Sequence, residues 1–276
     1  MTDEKVNIKR EDIKKNLLKK VLIRIDYDGV ASIDNYVEAH YDLFGKYFSD
    51  TYKGSINNAT IDRNSLDEIA DRLSLDVKEF RKEPLHFFRS PKREVIVGSD
   101  DVELTISTYY AALDIKCKNY QTIDQYIGLI EDLFRSMFET FKMFKIRRVA
   151  IRKISGGAFD TIEALNKVYE PSLFFGAQVS PNAEITFFQR EYRDTYILAD
   201  RTNKVNYARK FRTILSNGRH LLQTVLDTDV YCDEFCLQYV KCTNEKELKE
   251  LLYSINKHQF DLFKDSVTID YLKSQG

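Results

Sequence analysis

Cysteine is scarce in this sequence. Cys117, Cys232, Cys236 and Cys242 are spread over 276 residues without a framework spacing, which excludes a disulfide scaffold and fits a reduced cytosol. Four prolines and ten glycines, scattered singly apart from Gly156-Gly157, leave no room for linkers or low-complexity tails. Long hydrophobic runs are also missing. The longest apolar stretches fall well below the roughly 18 residues that span a bilayer. The opening MTDEKVNIKREDIKKNLLKK carries charge but no apolar segment of the secretory type. Nor is there an excess of one charge: 42 Lys+Arg face 43 Asp+Glu, for a net charge of −1. That balance excludes a globally basic nucleic-acid coat and an acidic disordered tail. These absences point to a compact, cytoplasmic protein with no membrane segment. No strong catalytic signature stands out either.

What is present is core-forming material: 43% hydrophobic residues, 18 Phe and 17 Tyr. A chain of this length buries roughly three quarters of its unfolded surface, in one large domain or two small ones. Residues 20–28 (KVLIRIDYD) predict a strand ending at Gly29. Ser32 then caps a helix to about Lys53, with Ile33, Tyr36, Val37, Phe44, Tyr47 and Phe48 on one face. Residues 54–64 are turn-like, and Ser65 with Glu68 forms a capping box. After Pro84 the segments LHFFRS, EVIVGS and VELTISTYYAAL predict an antiparallel meander of three strands, with Leu104, Ile106 and Thr108 on one face. Thr122 and Gln125 bracket a second capping box. It starts a helix whose stripe runs through Ile123, Ile127, Ile130, Leu133, Phe134, Met137 and Phe141. That helix feeds a strand over 146–154, closed by Gly156-Gly157.

The second half repeats the theme. A short helix near 160–169 precedes strands around 174–180, 184–198, 203–213 and 220–231. Asn244 and Glu247 start a terminal helix with Leu248, Leu251, Leu252, Ile255, Leu262 and Phe263 inward. Strands come in runs with helices at their ends, so the class is α+β. Two antiparallel meanders are each flanked by amphipathic helices, in halves near 1–155 and 158–276 that are a pseudo-duplicated pair or one packed domain.

Arg148, Arg152 and Ile154, then Leu226, Asp227 and Asp229, then His258, Phe263, Ser266 and Thr268 carry a resemblance. The succession resembles an uncharacterised, sporadically distributed bacterial family of cytoplasmic proteins. Its members show an R-x-G-x-R-Y-I-N strand, an L-D-I-D strand and a C-terminal helix with L-H, F and S-x-T. Ala150, Lys153 and Ser155 stand where the family has Gly, Tyr and Asn. The family has no established activity. The resemblance implies a setting among mobile elements, toxin–antitoxin pairs or phage-defence genes.

Several residue groups invite chemistry. Asp227-Thr228-Asp229 and Asp26-Tyr27-Asp28 each put two carboxylates on one face of a strand. They suit a divalent cation in a nuclease or hydrolase, or else Asx-turns and ion pairs at strand ends. Residues 142–153 hold Lys142, Lys145, Arg147, Arg148, Arg152 and Lys153 without an acid. Residues 201–220 hold Arg201, Lys204, Arg209, Lys210, Arg212 and Arg219, also without an acid and interleaved with Tyr207 and Phe211. Side by side on a sheet, Arg148, Arg152, Arg209, Arg212 and Tyr207 would form an anion-binding face suited to single-stranded RNA. The alternative is that these arginines pair with Asp227, Asp229 and acidic helices. Arg148 and Arg152 are expected on one face with Ile146, Ala150 and Ile154.

The remaining groups read as structural. His40 and His258 lie by apolar helix faces, and His86 and His220 fall in strands without a nucleophile nearby. The cysteine spacings are unlike zinc knuckles, which leaves buried free thiols. Gly156-Gly157 lacks the rest of a P-loop or dinucleotide fingerprint and reads as a tight turn. The sequence therefore favours a non-enzymatic interaction or accessory protein without a cofactor. It would act as an antitoxin-like or chaperone-like partner in a defence or toxin-associated module, bind a protein encoded nearby and form a homo-oligomer. The alternative is an RNA- or nucleotide-binding protein, a metal-dependent nuclease included.

Overall fold

The computed structural model describes residues 8–10, 13, 17–30, 33–48, 55–57, 94–98, 101–117, 120–174, 189–216 and 218–275. The strands are β1 (Leu18–Asp28), β2 (Ser55–Asn57), β3 (Glu94–Gly98), β4 (Val102–Ile106), β5 (Tyr110–Lys116), β6 (Lys145–Ser155), β7 (Ala158–Phe159), β8 (Gln189–Ile197), β9 (Lys204–Ser216) and β10 (Arg219–Cys232). The helices are α1 (Ile33–Ala39), α2 (Tyr41–Phe48), α3 (Asp124–Thr140), α4 (Ile162–Val168), α5 (Glu245–Ser266) and α6 (Ile269–Ser274). The fold is α+β, and its strands form one 10-stranded sheet in the order β2-β3-β4-β5-β1-β6-β10-β9-β8, with β7 beside β10. Every pairing is antiparallel.

The connectivity is two-fold. In each half a first strand (β1 or β6) leads through helix to a meander (β3-β4-β5 or β8-β9-β10), and then to a long helix (α3 or α5). The last meander strand returns to pair with the first strand, and the two first strands pair with each other at the centre. The shared order matches the pseudo-duplicated arrangement read from the sequence.

Alternation along the central strands sorts residues between two faces. Val21, Ile23, Ile25 and Tyr27 of β1 are buried, as are Val149 and Ile151 of β6 and Leu226 and Val230 of β10. They meet Leu133, Phe134 and Met137 of α3 and Leu248, Leu251, Leu252 and Ile255 of α5 in one core. Tyr27 is clamped between Phe134 and Phe144, with ring centroids 6.0 and 5.1 Å away, and its hydroxyl donates to Ser107 O at 2.7 Å. Gln259 ties α5 to the sheet: its amide donates to Ile151 O at 2.5 Å and Thr228 O at 3.1 Å.

Several local expectations are corrected. The helix after Ser32 breaks at His40 into α1 and α2. VELTISTYYAAL is two strands, because Ser107 Oγ accepts from the Tyr109 and Tyr110 amides at 3.1 Å and folds the chain back on itself. Thr108 therefore sits in the turn. The Thr122–Gln125 capping box is not made: α3 has Ile123 at its N-cap without a side-chain bond, and Gln125 Oε1 accepts from Gln121 N. At the start of α5, Asn244 is the N-cap and accepts from the Lys246 and Glu247 amides, the start that the sequence predicts, while Glu247 accepts from the amide of Thr243, one residue earlier. LHFFRS, Ser65–Glu68 and residues 175–180 of the strand expected over 174–180 lie outside the described residues.

Replacing Gln259 by Leu should remove both amide bonds that tie α5 to the sheet and lower stability in urea denaturation by about 1–3 kcal/mol. Gln259→Glu should cost more at neutral pH, because it would aim a carboxylate at two carbonyl oxygens.

Candidate functional site

The same alternation that buries Val21, Ile23 and Ile25 sends Arg24 and Asp26 to the other face of β1. Arg148 and Arg152 of β6 and Asp227, Asp229 and Tyr231 of β10 join them. The register sets Asp26 opposite Arg148, and Arg152 opposite Asp229. The result is a ladder of alternating charge across three strands. Arg24 Nε donates to Asp26 at 2.7 Å. Arg148 lies 3.8 Å from Asp26 and donates to Asp229 at 3.0 Å. Arg152 reaches diagonally past its opposite residue and grips both oxygens of Asp227, at 2.7 and 2.5 Å. A forked guanidinium on a carboxylate is the strongest of these contacts.

Two tyrosines flank the ladder. The Arg24 guanidinium sits 4.3 Å from the Tyr110 ring centroid, and that of Arg148 lies 4.6 Å from Tyr231. Both distances suit cation–π contact. Beside the ladder is a depression of about 370 Å³ lined by Arg152, Asp227, Asp229, Asn206, Arg193 and Thr195, among others. Burial raises the Asp229 carboxyl above its ordinary value even though Arg148 and Arg152 lower it. The pairing with Asp227 holds the Arg152 guanidinium in its charged form.

A bulge between Asp26 and Tyr27 changes one expectation. Tyr27 pairs with Ile146 while Asp26 pairs with Arg148, so Ile146 turns into the core instead of joining Arg148. Arg147 instead engages Asp28, and Glu234 at 3.0 Å.

The five residues of the anticipated anion-binding face divide between the two faces. Arg148 and Arg152 lie in the ladder. Arg212 shares their face but is exposed and donates to Gln223 at 2.6 Å. Tyr207 and Arg209 occupy the helix-side positions of β9. Tyr207 is buried against Ser266 at 2.5 Å, with its hydroxyl pushed up to about 12 by burial. Arg209 pairs with Asp194 and lies 5.3 Å from the rings of Tyr192 and Tyr207.

Asp227 and Asp229 are held by guanidinium groups, and among the described residues no cluster of three His, Cys, Asp or Glu is placed to hold a metal ion. The Gly156 and Gly157 amides are taken by Leu17 O and Thr224 Oγ1. All four cysteines are free, and burial raises their thiols. His40 stacks on Tyr36 at 4.4 Å. No described helix is long and apolar enough to cross a membrane.

No family model matches the chain, and no curated protein matches it. The resemblance drawn from Arg148, Arg152, Asp227 and Asp229 rests on those residues themselves.

Two features escaped the sequence reading. Tyr110 and Tyr231 complete the ladder; the signal for Tyr231 was its place two residues beyond Asp229. Lys153 belongs to the basic run of residues 142–153, but it follows Val149 and Ile151 on the inward face of β6. It lines a cavity of about 50 Å³ with Arg10, Gln259, Phe260 and Phe263. Its amine donates to Asn256 at 2.5 Å. Burial, aided by Arg10, pushes this amine down to about 7.

The unfolded chain binds that proton more tightly than the folded one, so stability should rise with pH between about 7 and the ordinary lysine range. Melting curves for the wild type should climb across that window. Those for Lys153→Met should begin higher at pH 7 and stay flatter. Parallel curves would refute a buried, easily neutralised amine.

Proposed function

We propose that this chain is a non-enzymatic binding protein whose ladder-bearing sheet face, open among the described residues, receives a segment of a protein partner. The observation that carries this reading is the ladder of Arg24, Asp26, Arg148, Asp229, Arg152 and Asp227 flanked by Tyr110 and Tyr231. Its cations come with their own carboxylates. A polyphosphate would have to displace those carboxylates or bind against them, whereas a polypeptide carrying both signs can extend the existing pattern. Arginine and tyrosine are also the side chains most enriched where protein interfaces concentrate their energy.

The ladder is a poor device for stability alone. Desolvation raises the Asp229 carboxyl against two guanidinium groups, and well-packed apolar residues often serve stability as well as such ion pairs do. Keeping charge there makes sense if another molecule reads it. The family resemblance favours an antitoxin-like or chaperone-like partner role in a bacterial defence or toxin-associated module, in the cytoplasm, with the partner encoded nearby. Self-association fits the same role, because a symmetric pair would offer two copies of the face.

Ala208 lies on the open face beside the depression. Ala208→Tyr would fill that space while leaving every ladder contact in place. Affinity capture from the native host should yield a stoichiometric protein with the wild type and at least tenfold less of it with Ala208→Tyr. Capture unaffected by the substitution would overturn the reading. So would tight binding of a single-stranded RNA oligonucleotide that falls steeply with salt and is lost in Arg148→Ala/Arg212→Ala.

A further inference from the structure

Among the described residues the sheet ends at β8, whose strand neighbour is β9. Such an edge offers a row of backbone donors and acceptors to another strand. Its side chains carry both charges. Arg193 is 72% exposed and Asp194 53% exposed.

Strand geometry restricts how β8 can meet itself. Antiparallel neighbours that lie directly opposite each other share a face of the sheet, and successive residues alternate between faces. A two-fold axis perpendicular to the sheet must therefore pass through a residue, never between two. That leaves few registers to compare. An axis at Arg193 sets arginine on arginine, one at Asp194 sets aspartate on aspartate, and one at Glu191 sets glutamate on glutamate.

An axis at Tyr192 is different. It sets Glu191 opposite Arg193 of the second copy on one face, and Arg190 opposite Asp194 on the other. The symmetry makes each pairing twice. Gln189 then faces Thr195, and the two Tyr192 rings meet at the centre. Opposite charges facing each other across strands stabilise a pair, and like charges facing each other destabilise it. The stretch from Gln189 to Thr195 is thus complementary to itself in this register and not in the neighbouring ones.

We propose that β8 pairs with β8 of a second copy of this chain, antiparallel and centred on Tyr192, to give a two-fold dimer with one continuous sheet. The charges already have partners within one copy: Arg193 with Glu191 at 2.5 Å, Lys210 with Glu191 at 3.3 Å, and Arg209 with Asp194. In the dimer the second copy's charges add to these. An edge of this length buries less surface than obligate dimers do, so the association is reversible. The two-fold axis leaves both open faces on the same side, so a partner with repeated segments would engage them together. Arg193 and Thr195 line both the edge and the depression, so the dimer is judged with the chain alone, in the absence of any partner.

Sedimentation velocity of the full chain from about 1 to 200 µM tests this directly. The wild type should pass from monomer to dimer with concentration. Glu191→Arg and Arg193→Glu should each weaken the dimer at least tenfold, because each sets like charges against each other across the axis. Mixed in equal amounts, the two variants should dimerise again, since every pairing in the mixed dimer is then opposite in sign. Effects confined to one chain cannot produce that recovery, and circular dichroism of each variant checks that it is folded. A wild type that stays monomeric overturns the proposal, as does a dimer indifferent to Arg193→Glu or a mixture no better than its components.

Discussion

The antiparallel seam between β1 and β6 is the constraint on which the rest of the structure depends. It joins the first strands of the two halves, and each of these carries its own meander outward. The register at the seam puts Ile23 beside Ile151 and Ile25 beside Val149 under the long helices. It also puts Asp26 beside Arg148 on the opposite face. Core and ladder are therefore two consequences of one pairing. A slip by one residue would exchange them, driving arginines into the core and isoleucines into water.

The near-equality of acidic and basic residues takes a local form here. The basic run of β6 is neutralised one strand away on either side, by Asp26 and Asp28 of β1 and by Asp227 and Asp229 of β10. Lys204 meets Asp233 at 2.6 Å, and Arg209 meets Asp194. Exposed pairs of this kind add little stability one by one, and the half-buried ones bear a desolvation cost, as Asp229 records. What they supply is a fixed, patterned surface with tyrosine at its margins.

Much of this was legible in the sequence. The α+β class, the central strands, α3, α5 and the Asn244 cap follow from periodicity and capping residues that act locally. The competing fates of Arg148 and Arg152, phosphate or carboxylate, could be named but not decided, because register is a long-range property. Ile146 was assigned to the wrong face because a bulge interrupts the alternation. The hairpin at Ser107 was missed because its turn is made by a serine hydroxyl rather than by glycine or proline. Lys153 was misread because a lone cation at an inward position looks like one more member of a basic run. The alternation of Val149 and Ile151 held the contrary signal.

The claim that the open face is the working surface is tested most directly by hydroxyl-radical footprinting of the chain, alone and with its captured partner. Tyr231 and Tyr110 should become protected in the complex, while Tyr109 and Tyr253, exposed elsewhere, should react as before. Protection at Tyr239, with Tyr231 unchanged, would contradict the account. It would move the binding surface to the cleft of about 660 Å³ that runs along the 234–243 loop.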